Sequence, residues 1–429
     1  MYFRQIYIFI IAISFFTTSC QKLVNDPGDS TIYEVKSDEG LNYWGGSYKD
    51  EGHAVAHTEE GGYAIAGSQY STDTQFDLSL VTFNSSLVEQ KKKVLDFVDS
   101  SGDSFSNYAN DILQNDDGGY IIVGSTFNGT DMDVLVIKFN TNLDTLWTAT
   151  IGGVVDGYHD YGSSIGIMAG NAGYLVCGTS YDGTNDDFDA RLWTISNDGQ
   201  TIISKYTGDG SNESHDYCNY AQQTSDGGYI MITTNMTIAT SAQSTNVIKL
   251  IAAGTADSNF VDITGTLSIA ACDEGIYVQQ LYDGSYIIVG NTETGTGQQS
   301  NVYINTVTSA GLPGTAKTMG NSYNDKVTCV RQTLGDGGFV FTGSKYVQSS
   351  MYDVWIVKLN AALSTEWDYT YGGEGNDYGQ SIAQTLDGGY VITGSTRSYG
   401  NQSEIMLLKL NNLGIVEDII GSLNSSSGN

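Results

Sequence analysis

Along most of the chain, apolar residues come in short runs of four to six, separated by turns rich in Gly, Asp and Asn. Runs this short predict strands, and no sustained helical period competes with that reading. One stretch displays the pattern in full. Ser381 to Thr385 form a first strand, Leu386-Asp387-Gly388-Gly389 turn the chain, and Tyr390 to Ser395 form a second. Asp-Gly favours the positive φ of a tight hairpin turn. In the preceding copy, Asp353 to Asn360 form a third strand and Thr365 to Tyr371 a fourth. The second and third strands are nearly continuous apolar runs, which implies sheets covered on both faces.

The turn and its aromatic recur seven times, at Tyr63, Tyr120, Tyr174, Tyr229, Tyr286, Phe339 and Tyr390. Successive aromatics are separated by 57, 54, 55, 57, 53 and 51 residues. Four-stranded units of this length favour a propeller over a solenoid. The expected fold is all-β: a seven-bladed β-propeller of four-stranded antiparallel blades, filling residues 41–429 with no second domain. Asn42-Tyr43-Trp44-Gly45-Gly46 matches the end of a fourth strand, Tyr369-Thr370-Tyr371-Gly372-Gly373. The N-terminal strand is therefore expected to join the last blade, even though Ile415 to Ile420 offers a candidate fourth strand. Closing the ring in this way removes exposed edges.

Composition narrows the function. Of 429 residues, 18 are Lys or Arg and 49 are Asp or Glu, a net charge of −31. That balance argues against nucleic acid or an anionic membrane surface as partner. With 40% hydrophobic residues, including 29 Tyr, the chain can bury a core and is not a disordered polymer.

The first residues read as an address. Arg4 precedes an apolar run from Ile6 to Phe16, too short to span a bilayer but suited to a signal peptide. It ends in Thr17-Thr18-Ser19-Cys20, which looks like a bacterial lipoprotein signal with Cys20 lipid-modified. An ordinary secretory signal with a chance cysteine is the alternative. On the lipoprotein reading, residues 1–19 are removed and 20–40 form a polar tether. The body is then held at the cell envelope, on the outer membrane, facing the periplasm or the surface, with lipid as its only membrane contact. Cys177, Cys218, Cys272 and Cys329 would remain in an oxidising compartment, where sequence leaves three pairings open.

The motifs Asp-Gly-Gly-Tyr-Val-Ile-Thr-Gly-Ser, Asp-Val-Trp-Ile-Val-Lys-Leu-Asn and Trp-Asp-Tyr-Thr-Tyr-Gly-Gly together resemble the bacterial β-propeller repeat of the SBBP type. The resemblance spans nearly the whole mature chain. Thr233 departs from it where a strand glycine is usual, and Ser285 departs inside a turn. It implies a propeller and an exported location, and it brings no catalytic residues.

Repetition also separates structural from functional candidates. Thirteen or fourteen residues before each turn aromatic stands Asp50, Asn107, Asp160, Asp216, Asp273, Asp325 or Asp377. Such a ring could line a cation site at one channel mouth, but Asp and Asn commonly cap their own turns, and turn capping is the favoured reading. Gln114, Gln223, Gln280, Gln332 and Gln384 recur at one first-strand position, as expected of buried amides bridging neighbouring backbones. His57 occupies that position in the first unit. His53 lies roughly 13 Å from it along the strand, too far for both to bind one ion.

A ligand site should break the symmetry. His159-Asp160-Tyr161, His215-Asp216-Tyr217-Cys218 and Cys272-Asp273 do so on three consecutive units. His159, His215, Cys218 and Cys272 are thus the candidate metal ligands, of the types that suit zinc or copper. Surface histidines beside turn aspartates, or a Cys218–Cys272 disulfide, are the plainer alternatives. Cys177, within a strand, reads as a buried free thiol. No helix-opening Gly-x-Ser-x-Gly elbow, phosphate loop or His-Glu-x-x-His is present. Carboxylates are too numerous for one hydrolytic pair to be chosen, and no cofactor is expected. The function expected is a non-enzymatic binding or scaffolding module whose partner is an envelope protein or glycan, with a carbohydrate-binding or carbohydrate-active propeller as the alternative.

Overall fold

The computed structural model describes residues 41–44, 49–70, 76–95, 97–98, 104–152, 159–183, 186–207, 214–260, 266–269, 271–293, 300–321, 323–347, 351–398 and 403–416. Residues 1–40, including Cys20, and most of the stretch 415–420 lie outside them. Seven four-stranded antiparallel sheets dominate, each running A-B-C-D in spatial order. This is the seven-bladed propeller. The inner A strands are Asp50–His57, Asn107–Gln114, Asp160–Ile167, Ser214–Gln223, Glu274–Gln280, Lys326–Gln332 and Asp377–Gln384. Each touches the A strand of the blade on either side, so the ring is closed. Every B strand begins at the repeated aromatic, from Tyr63–Tyr70 to Tyr390–Thr396.

The last blade takes its D strand from the other end of the chain. Leu41–Trp44 pairs antiparallel with Glu404–Leu410, placing Tyr43 opposite Met406. Among the described residues, the alternative strand at the C-terminal side contributes one bridge, Val416 to Leu410.

Two details differ from the sequence reading. Strand A of the last blade starts at Asp377, four residues before Ser381. A bulge between Gly379 and Ser381 breaks the alternation there and hides the first half of the strand. The Asp-Gly turn is also longer than a two-residue hairpin. Thr385 N–H bonds Gly389 O and Gly388 N–H bonds Thr385 O, both at 2.9 Å, and Gly388 alone in that loop has positive φ, at 83°. The turn aspartate has a partner the motif did not reveal, the lysine near the end of strand C. Lys249 Nζ lies 2.8 Å from Asp226, Lys358 Nζ 2.6 Å from Asp336, and Lys409 Nζ 3.2 Å from Asp387. Burial raises the affinity of Asp226 and Asp336 for a proton, but bonds from the lysine, a threonine hydroxyl and a glycine N–H outweigh it and hold each at about 2.

The same bulge occurs once in every A strand, at Gly52/Ala54, Ala109/Asp111, Gly162/Ser164, Cys218/Tyr220, Gly275/Tyr277, Val327/Cys329 and Gly379/Ser381. The extra residue reaches the next blade. Asn110 Nδ2 donates to Gly162 O at 2.7 Å, and Thr328 Oγ1 to Gly379 O at 2.7 Å. The residue after it accepts in return, as when Ile165 N–H bonds Asp111 Oδ2 at 3.1 Å. At the far end of strand A the repeated glutamines do bridge blades, but half-exposed rather than buried. Gln114, Gln223, Gln280 and Gln384 accept from Glu59, Ala169, Ser225 and Leu334 N–H of the preceding blade at 2.6–2.8 Å. Between the blades lie apolar side chains of strands A to C. Ala64, Ala66, Leu78 and Leu80, for example, pack on Ala109, Ile112 and Ile122 of the next blade.

The bulge also explains the strand-B glycine. A Cβ on Gly124 would sit 1.8 Å from Tyr108 O of its own inner strand. Gly124→Ala is expected to cost about 2–3 kcal/mol in chemical denaturation, as for overpacking. Gly166→Ala, whose nearest heavy atom would be 4.0 Å away, should stay within about 0.5 kcal/mol. A second expectation concerns acid. Because folding depresses Asp226 and Asp336 to about 2, their contribution is complete above the unfolded value of roughly 3.9 and is lost as pH falls through the folded value. The melting temperature should drop from about pH 5 to about pH 2, and less steeply in Asp226→Asn/Asp336→Asn.

Candidate functional site

The second residue of the A-strand register faces the mouth that the aspartate ring surrounds, and here the sevenfold rule fails. Around the ring it is Glu51, Tyr108, Tyr161, Tyr217, Glu274, Lys326 and Tyr378. Three consecutive blades thus present tyrosines, and the middle one, Tyr161, is within electrostatic reach of both Tyr108 and Tyr217. Each arc tyrosine is partly open, Tyr161 at 38% exposure. Aromatics at strand C of the preceding blade brace the ends of the arc. Phe76 lies 5.3 Å from Tyr108, and Phe188 lies 5.7 Å from Tyr217. Tyr378 stacks on Tyr352 in the same way, at 5.7 Å. Burial raises the Tyr161 and Tyr217 phenols above their usual value, with the neighbouring phenols adding to it at Tyr161. They therefore remain neutral hydroxyl donors at physiological pH. The charged positions of the ring are paired locally, Lys326 with Glu274 at 3.6 Å and Lys49 with Glu51 at 2.8 Å.

The residue just before each ring position explains the histidines. His159 Nδ1 accepts from Met132 N–H at 3.0 Å and His215 Nδ1 from Phe188 N–H at 3.1 Å. In other blades Asn324 Oδ1 accepts from Ser300 N–H and Asn376 Oδ1 from Tyr352 N–H, at 3.1 and 3.2 Å. In these four blades the position supplies an acceptor to an amide at the start of strand C, a role that imidazole and carboxamide both serve. The candidate cysteines lie in separate settings. Cys272 Sγ is 3.5 Å from Glu274 O and 3.7 Å from Asn291 O, whereas Cys218 packs with Cys177 between two other blades. All four described cysteines are buried thiols, and Cys218 and Cys272 sit in different apolar clusters, so they are not placed to pair with each other. Burial pushes Cys272 up to about 12, keeping a protonated thiol that is a poor zinc ligand. Among the described residues, no three His, Cys, Asp or Glu side chains group to hold one metal ion.

Ring residues are mostly buried within the loops they serve. Asp325 accepts from Asn321 and Tyr346 N–H at 2.6 and 3.1 Å, and Asp377 from Gly373 N–H at 2.9 Å and Ser398 Oγ at 2.5 Å. Asn107 accepts from Thr126 Oγ1, Asp216 from Asn235 Nδ2, and Asp273 from Glu293 N–H. Asp50 and Asp160 are buried at 3% and 1% exposure.

Below the mouth, the axis holds a cluster invisible in the repeat motif. The bulges enclose a cavity of about 100 Å³ lined by His53, Asp111, Tyr220, Tyr277 and Arg331 among others. Tyr220 and Tyr277 rings are 4.5 Å apart, and the Arg331 guanidinium lies 5.9 Å above Tyr277. Burial pushes the Asp111 carboxyl up, opposed by Arg331 and by the Ile165 and Ile112 N–H bonds. Asp111 is the one carboxylate lining that cavity, so no acid–base carboxylate pair meets there. Comparing the seven A strands position by position would have exposed both features: Arg331 stands where other units carry Ala56, Leu113, Gly166, Gln222, Gln279 and Ala383. At the opposite end of the inner strands, a cleft of about 720 Å³ opens where Gly166 and Ile167 replace larger or polar residues, with Tyr282 at its edge 88% exposed.

No family model and no curated protein matches the chain. Solved structures similar to it include Sqt1 from Chaetomium thermophilum bound to the N-terminus of ribosomal protein L10, at 12% identity and TM-score 0.49, covering 87% of this chain and 100% of that one. Polysaccharide lyase Uly1 is similar at 9% identity and TM-score 0.48, over 84% of this chain and 90% of that one. The α-L-arabinofuranosidase Arb93A from Fusarium graminearum is similar at 10% identity and TM-score 0.45, over 70% and 91%. The strand pairing carries the fold assignment, and these likenesses carry no functional argument.

The histidine geometry yields a direct test. His215→Asn should melt within about 0.5 kcal/mol of wild type, whereas His215→Ala, leaving Phe188 N–H without its acceptor, should cost about 1–2 kcal/mol. A metal ligand would instead make Asn and Ala equally damaging, with equal loss of bound metal by elemental analysis.

Proposed function

We propose that this protein is a non-enzymatic binding module of a bacterial envelope, anchored by lipid at Cys20, that takes its partner at the tyrosine mouth. The carrying observation is the arc of Tyr108, Tyr161 and Tyr217 on three adjacent blades, where sevenfold structural demand is absent. Tyrosine offers large contact area, little entropy loss and a hydroxyl for recognition, which suits a binding surface. The lipoprotein-like start and the repeat's resemblance to exported propellers support the location. The net charge of −31 disfavours nucleic acid as the partner. A glycan is the second reading, favoured by the half-open phenols and by the local pairing of the charges around the mouth.

The test is capture from envelope extract together with a glycan array, using the full-length chain. Tyr161→Ala should weaken the captured partner roughly tenfold, the scale of one lost aromatic contact. Tyr282→Ala, at the other end of the inner strands, should bind normally. Loss with Tyr282→Ala but not Tyr161→Ala would move the site to the turn-side cleft, and turnover of an envelope substrate without stable capture would overturn the binding-module reading. Cys20→Ser should shift the protein from the membrane to the soluble fraction.

A further inference from the structure

We propose that Cys177 and Cys218 are a covalent modification site, joined in the mature protein by a disulfide that ties the third blade to the fourth. The argument starts from the register. Cys177 lies on strand B of the third blade opposite Ser164, just past the bulge, and Cys218 lies on strand A of the fourth blade just before its bulge. At four other junctions the residue equivalent to Cys218 is glycine. A Cβ there would meet the γ atom of the preceding blade's strand-B residue directly: Gly162 against Val123 Cγ2 at 2.6 Å, Gly275 against Ile232 Cγ1 at 2.6 Å, Gly379 against Thr342 Oγ1 at 2.2 Å, and Gly52 against Thr393 Oγ1 at 2.3 Å. Val123, Ile232 and Thr342 occupy the position of Cys177. At this one junction both positions are cysteine, so propeller geometry brings the Cys218 Cβ against the Cys177 sulfur. A disulfide requires that contact, with each Cβ about 3 Å from the partner sulfur.

Flanking bonds hold the two strands in place. Cys218 N–H donates to Thr179 Oγ1 at 3.2 Å, and Ala221 N–H to Ser164 Oγ at 3.3 Å, the same hydroxyl that lies 3.2 Å from Cys177 Sγ. Both thiols are fully buried, in one apolar cluster. Cys272 and Cys329 have no cysteine opposite them: Cys329 Sγ faces Ser381 Oγ and Ile382 O of the next blade.

The reaction is a dithiol–disulfide exchange with an exported oxidant of the protein-disulfide class. Two S–H bonds and the oxidant's S–S bond break, one new S–S bond forms, and the electron pair and both protons pass to the oxidant, which leaves as two thiols. Since the folded pair is sealed from solvent, oxidation must occur while the fourth blade is still closing on the third. The chemistry rests on the proposed export, because a reducing cytosol would keep the thiols free.

The test uses the full chain purified from the envelope fraction. Free thiols are alkylated under denaturing conditions, the sample is reduced, newly exposed thiols receive a second label, and peptides are mapped by mass spectrometry. The expected result is first-label on Cys272 and Cys329 and second-label on Cys177 and Cys218, with one cross-linked peptide pair before reduction. In Cys177→Ser, Cys218 should take the first label. First-label on all four cysteines, or a cross-link between any other pair, overturns the proposal. If the chain instead remains in the cytoplasm, export has failed separately. Refolding the purified protein with oxidised glutathione then decides the geometry: a 177–218 cross-link upholds it, and four persistent thiols overturn it.

Discussion

The inner-strand bulge is the constraint on which the rest of the structure depends. Seven strands crowded around one axis cannot satisfy every backbone group within their own sheets, and an unpaired buried amide is costly. One extra residue per strand redirects a side chain and an amide toward the neighbouring blade. The resulting bonds run from Asn110 to Gly162, from Ile165 to Asp111, from Ala221 to Ser164, and from Val55 back to Ser381. The contact from the seventh blade to the first is therefore of the same kind as the others, and the ring closes with hydrogen bonds as well as with the borrowed outer strand.

The bulge also divides the repeat into positions that are committed and positions that are free. Strand-B glycine is committed, because the bulged carbonyl occupies the space of a Cβ. The end of strand D is committed where it passes between two carboxylates: a Cβ on Gly372 would sit 2.4 Å from Asp353 Oδ1 and 2.7 Å from Asp377 Oδ2. The second residue of the A-strand register answers to no such demand, and the position after the bulge answers to one only where Asp111, Ser164 or Ser381 accepts an amide of the next blade. Those are the positions where Tyr161, Tyr220 and Tyr277 appear. Symmetry in this fold marks what holds the blades together, and the departures mark what the axis is furnished to do.

Much of the architecture was legible in the sequence because it repeats. Seven spaced aromatics gave the blade count, the match of Tyr43 to Tyr369 gave the closure, and repeated glutamines gave the bridging between blades. The strand-A start was hidden because a bulge interrupts the alternation on which such readings depend. The Asp226–Lys249 pairing was hidden because its partners are 23 residues apart and meet only when strand C returns beside the turn. The His-Asp-Tyr triplets break the repeat at two residues, and the histidine is the less informative of them. An imidazole nitrogen can replace a carboxamide oxygen as a backbone acceptor, so a change of residue type there preserves one role. The tyrosine two positions on has no structural equivalent to preserve.

The fourth blade shows how these rules interact. It carries Thr233 where the other six blades for which a strand-B residue faces the bulge carry glycine, and Thr233 is 1% exposed. The blade also carries Cys218 before the bulge, where four other blades have glycine, and packs it against the third blade in one apolar cluster with Cys177. Tyr217 at the mouth and Tyr220 over the axis flank the same short segment. The blade that departs from glycine both on strand B and before the bulge is thus one that projects across its boundaries, toward the neighbouring blade through sulfur and toward the axis through two aromatic rings.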